Sequence, residues 1–101
     1  MERFILKFLW LDKTIAVCVD QKVGNRTIPL TEYFFWPQRD AWEDMKLFLE
    51  SKDWITKFEV IAILNVVTEV INYWQEKDSL EKKDIKKVKE KFSSVSFIGF
   101  D

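Results

Sequence analysis

Residues 4–11, Phe-Ile-Leu-Lys-Phe-Leu-Trp-Leu, form an aromatic and β-branched run with one charge, Lys7. Such a run predicts a strand, with both faces covered for most of its length. After the polar pair Asp12-Lys13, residues 14–19 place Ile15, Val17 and Val19 on one face of a second strand. Two apolar runs around a two-residue gap predict an antiparallel hairpin. Residues 20–27 are polar and contain Gly24-Asn25, which predicts a turn or loop. Residues 33–36 predict a short extended piece, because Trp36 precedes Pro37 and is disfavoured in a helix. The pattern leaves open whether that piece joins the sheet as a third strand.

The period then changes. Asp40 is a fitting N-cap with Glu43 three residues on, and a helix is predicted to about residue 51, with Trp42, Met45 and Leu49 along one stripe and Ala41 and Phe48 beside it. Thr56 and Glu59 repeat the capping-box spacing. The helix they open should reach about residue 75, with Val60, Ile63, Leu64, Val67, Ile71 and Trp74 on one face, widened by Ile61, Val66 and Val70. Ser79 is placed to cap a third helix over 80–91, carried by the thin stripe Ile85, Val88 and Phe92. Residues 93–100 return to alternation and predict a short strand or an extended docking tail. The fold class is α+β: a small antiparallel sheet against two amphipathic helices, with a third helix at the C-terminal end.

A chain of 101 residues with 48% hydrophobic, 33% charged and 16% aromatic residues fits one domain. The natural division is an α+β body over residues 1–76 and a lysine-rich helix or tail over 77–101. The formal net charge of −1 hides an asymmetry. Residues 77–91 hold seven lysines against four acids, a net of +3, whereas residues 1–76 hold nine basic and twelve acidic side chains, a net of −3. A polyanion gripped over a broad face needs a strongly basic domain, so any nucleic-acid contact should be local. No apolar run is long enough to span a bilayer. No signal or transit pattern precedes the first strand, so the expectation is a protein that acts where it is made.

The chain contains no histidine and a single cysteine, Cys18. The commonest general base and any Cys/His zinc site are therefore excluded. Cys18 lies in an apolar strand pattern and reads as a small buried hydrophobe. Two glycines leave no phosphate-cradling loop. Glu43, Asp44, Glu59 and Glu69 read as caps or solvated carboxylates, so no catalytic residue, cofactor, metal or small-molecule substrate is expected. The aromatic run Tyr33-Phe34-Phe35-Trp36 has two readings. Phe34 and Trp36 fit the core, which turns Tyr33 and Phe35 towards solvent or a partner, as a base-stacking platform or a protein contact. Candidate phosphate contacts are Lys13 at the hairpin tip, Lys22 and Arg26 in the polar loop, Arg39 before the first helix, and Lys82 and Lys86 in the lysine-rich stretch.

Three blocks resemble the plastid-specific ribosomal protein three family of chloroplasts and cyanobacteria. They are Phe4-Ile5-Leu6-Lys7 with Leu9-Trp10-Leu11-Asp12-Lys13; Pro29-Leu30-Thr31-Glu32-Tyr33-Phe34-Phe35-Trp36-Pro37 with Asp40-Ala41-Trp42-Glu43; and Trp54-Ile55, Ile63-Leu64-Asn65 and Thr68-Glu69-Val70-Ile71-Asn72-Tyr73-Trp74-Gln75. They span roughly residues 3–75, and residues 77–101 carry no part of the resemblance. It implies a structural component of the small ribosomal subunit, without catalysis or cofactor, whose partners are small-subunit rRNA and neighbouring ribosomal proteins. It places the protein in a plastid stroma, or alternatively in a cyanobacterial cytoplasm. A second reading from the exposed aromatics is a regulatory interaction module that visits the ribosome transiently.

Overall fold

The computed structural model describes residues 3–76 and 85–100. The chain opens with β1 (Phe4–Trp10) and β2 (Ile15–Val23), paired antiparallel from Phe4↔Gln21 to Trp10↔Ile15. In β1 Phe4, Leu6, Phe8 and Trp10 are buried, while Ile5, Lys7 and Leu9 are half-buried. One face is thus sealed by helices and the other is closed only in part, where the run of apolar residues predicted cover on both.

β2 runs four residues beyond the predicted strand. Its polar end pairs with β3 (Arg26–Pro29), and Gly24-Asn25 is the two-residue turn between them. Gly24 adopts φ +61° at the first central position, which type II′ hairpins reserve for glycine. The turn signal was sound, but the strands around it are exposed and lack the apolar alternation that marks a half-buried strand. Lys22 N–H also donates to the Arg3 carbonyl at 2.7 Å, so main-chain bonding holds this end together.

β4 (Phe34–Trp36) pairs with the same edge of β2 at Ile15–Val17, while β3 takes Asp20–Val23. The chain crosses between the two at Thr31. There Leu30 and Thr31 N–H both donate to the Val19 carbonyl, and Val19 N–H donates to Thr31 Oγ1 at 3.0 Å. β4 is therefore the third strand that the sequence left open. Its register sets Phe34 and Trp36 opposite Val17 and Ile15 on the core face, and Phe35 opposite Ala16 on the other.

α1 (Ala41–Glu50) starts at Asp40, whose side chain accepts the Glu43 N–H at 3.0 Å. α2 (Lys57–Gln75) starts at Thr56 with both bonds of the capping box present. Val60, Ile63, Leu64, Val67, Val70, Ile71 and Trp74 are its buried face, and Trp74 Nε1 donates to the Leu11 carbonyl at 2.8 Å. α3 (Ile85–Lys91) is pinned by buried Val88, with buried Phe92 just beyond it. The predicted cap Ser79 and the first part of the predicted third helix lie outside the described residues. β5 (Ser96–Phe100) then pairs parallel to β1, with a register shift between Phe8 and Leu9. Phe97 sits 5.8 Å from Phe8 and 5.9 Å from Trp10, centroid to centroid. The α+β class stands, and β5 makes the sheet mixed, in the order β3–β2–β1–β5 with β4 beside β2.

Candidate interaction surface

Lys13 and the pair Lys22 and Arg26 lie at opposite ends of β2, roughly 30 Å apart at about 3.3 Å per strand residue. All three are exposed, yet they form no single patch. Lys86 is exposed on α3, beside exposed Lys87 and Lys89; Lys82 lies outside the described residues. Arg39, Tyr33 and Phe35 do come together. With Glu32, Asp44 and Phe48 they line a hollow of about 540 Å³ between β4 and α1, along with Phe34 and Leu47.

The hollow is built by two local patterns. The alternation of β4 turns Phe35 away from the core, leaving it 40% exposed. The helical step of α1 brings Asp44, Leu47 and Phe48 to one side, and Leu47 is 59% exposed. Phe34 and Phe48 meet at 6.4 Å beneath them. Arg39 is held loosely, its Nε 3.5 Å from Asp44 Oδ2 with three-quarters of its side chain exposed. Such a surface pair contributes little.

Tyr33 departs from the expected outward pose. It is half-buried, and its hydroxyl bonds the Cys18 side chain; burial and that bond push its pKa up to about 12. Burial likewise pushes the Cys18 thiol up, as expected of an inert buried cysteine. Next to it, buried Asp20 pairs with the Lys7 ammonium, and that hydrogen bond raises the lysine's pKa. The buried carboxylate thus has its counter-ion on the adjacent strand. Tyr33, Cys18, Asp20 and Lys7 lie on the face of the sheet opposite the buried stripe of β1.

Several surface features escaped the sequence reading. Phe58 is 85% exposed, and Ile61, expected on the buried face of α2, is exposed instead because it falls at the edge of that stripe; it helps Trp42 and Lys46 to line a second hollow of about 520 Å³ between α1 and α2. Leu47 and Phe58 both fall outside the buried stripes of their helices, and that phase was the available signal. Arg3 binds both oxygens of Glu59, at 2.8 and 2.6 Å, and the Trp54 carbonyl at 2.9 Å. No local pattern links residues so distant in sequence. Among the described residues no group of His, Cys, Asp and Glu is placed to hold a metal ion, and no helix is long and apolar enough to cross a membrane.

The described surface thus carries scattered cations, exposed apolar side chains and hollows beside α1. Residues 30–77 match the profile of the plastid and cyanobacterial ribosomal protein family, PSRP-3/Ycf65. The chain is 63% identical to small ribosomal subunit protein cS23 of Euglena stellata, over the whole of both chains. It is 50% identical to cS23 of Gracilaria tenuistipitata var. liui, over 98% of each. It is 55% identical to the probable cS23 of a Synechococcus strain over 75 residues, 74% of this chain and 76% of that one. The chain belongs to this family of plastid and cyanobacterial ribosomal proteins. The Euglena match runs through residues 77–101, which the sequence resemblance had left uncovered.

Proposed function

We propose that this protein is a structural component of the small ribosomal subunit and acts in translation by docking on small-subunit rRNA and neighbouring ribosomal proteins. The observation that carries the reading is full-length identity of 63% to a small ribosomal subunit protein. Family membership puts its place of work in a plastid stroma or a cyanobacterial cytoplasm. The role is to be held in place, with no reaction assigned to it, and no observation favours the transient regulatory module.

The body over residues 1–76 supplies the protein-facing surfaces, and the lysine-rich stretch over 77–101 supplies phosphate contacts. Lys82 and Lys86 serve there, and Lys13, Lys22, Arg26 and Arg39 add isolated contacts at the edges of the body. Tyr33 shapes the hollow beside β4, and Phe35 meets the partner. Sucrose-gradient sedimentation tests the role: the protein stays with the small subunit through a high-salt wash, in near-unit amount at every growth stage. Release in the wash, or an amount that varies with growth, overturns it.

A further inference from the structure

The hollow between β4 and α1 has three properties that together select one kind of occupant. Its floor is apolar, made by Phe35, Leu47 and Phe48 over Phe34. It borders an edge strand: among the described residues β4 pairs with β2 alone. A strand edge carries main-chain donors and acceptors that an added strand satisfies, while pockets beside it take alternate side chains. Finally, its walls are acidic. Glu32 and Asp44 face it, Arg39 lies loosely against Asp44, and Lys52 sits over the Phe48 ring at 5.0 Å.

The open edge and the charge decide between a nucleic acid and a protein. A nucleotide stacked on Phe35 would leave the open main-chain groups of the β4 edge unpaired and bring its phosphate towards two carboxylates. Proteins that share an RNA particle carry Lys and Arg to neutralise phosphates, and such a chain complements the carboxylates of this wall. On the proposed place in the small subunit, we infer that this hollow receives an extended basic segment of a neighbouring ribosomal protein, added as a strand beside β4. Its apolar side chains rest on Leu47 and Phe48, and a lysine or arginine meets Glu32 and Asp44. Tyr33-Phe34-Phe35 is then a protein seat and no base-stacking platform.

The test places a photoreactive benzoylphenylalanine at Leu47 in the full chain, assembled into small subunits and irradiated there. The expected adduct joins position 47 to a protein peptide that carries Lys or Arg within a few residues of the attachment point. The double substitution Glu32→Lys with Asp44→Lys lowers the adduct yield about fivefold or more, since like charges then face each other. Glu69→Lys, on the exposed side of α2, leaves it unchanged. An adduct to an rRNA nucleotide or to an acidic segment, or no adduct in particles that hold the protein, overturns the inference and leaves the ribosomal role intact. Particles that never take up the protein overturn both. Circular dichroism reports whether the double variant folds; if it does not, the adduct's identity decides alone.

Discussion

Three hydrogen bonds converge on the Glu59 carboxylate. Arg3 donates Nε and an Nη, and the Thr56 N–H donates at 2.9 Å. The Arg3 bond is the largest cause holding its pKa at about 2, well below the ordinary 4.5. A carboxyl depressed on folding contributes stability that is present above its unfolded pKa and lost as pH falls through the folded one. The pair joins the residue before β1 to the start of α2, so its loss loosens the sheet from its largest helix. Glu59→Gln is accordingly less stable than wild type at neutral pH, and the gap narrows between about pH 4.5 and about pH 2 as wild-type Glu59 protonates. Urea unfolding across that window measures it; a gap that stays constant or widens on acidification refutes the assignment. Asp20 shows the opposite handling of a charge. It is buried with one partner on the neighbouring strand, so a one-residue slip of β1 on β2 carries Lys7 to the helix-covered face and leaves the carboxylate unpaired.

The elements differ in how they are anchored. At α2 two bonds close the cap reciprocally, Glu59 N–H to Thr56 Oγ1 and Thr56 N–H to Glu59, whereas α1 has the single bond from Glu43 N–H to Asp40. Thr56→Ala removes one member of a coupled set that also holds Arg3. It costs about 1–2 kcal/mol, against about 0.5–1 kcal/mol for Asp40→Ala. Urea denaturation of the two variants gives the order; equal or reversed losses show that the reciprocal cap adds nothing. α3 is a different case. Its described turns carry four lysines and are held by the burial of Val88 and the following Phe92. Lys91 lies 5.3 Å from the Tyr73 ring, a further tether to α2.

Over the whole molecule, charge is segregated by sequence: residues 1–76 carry a net of −3 and residues 77–91 a net of +3. On the proposed role, the lysine-rich end meets RNA and the acidic body sits among proteins. The protein's affinity for small-subunit rRNA particles should fall only moderately with salt, with a log–log slope of about 4 to 5 for the six proposed phosphate contacts. Lys86→Ala and Arg26→Ala each lower the slope by about 0.7 to 0.9, and Phe58→Ala leaves it unchanged. Filter binding over a salt series reads all three, and a slope near 10 contradicts the small contact set.

What the residues determined by themselves is local. Two strands around Asp12-Lys13, the caps at Asp40 and Thr56, the buried stripes of α1 and α2 and the turn at Gly24-Asn25 all follow from neighbours a few positions apart. Periodicity and capping are written at that range. The long order of aromatics from Tyr33 to Trp42 is written there as well, and it carried the family. Tertiary structure decided the rest. It let β3 and β4 share one edge of β2, set β5 parallel to β1, drew Tyr33 inward to Cys18, bound Arg3 to Glu59 and opened the hollow between β4 and α1. β5 on β1, Tyr33 on Cys18 and Arg3 on Glu59 join segments far apart in the chain. A strand's pattern specifies which of its faces is buried, but which strand lies beside it depends on the packing of every other element.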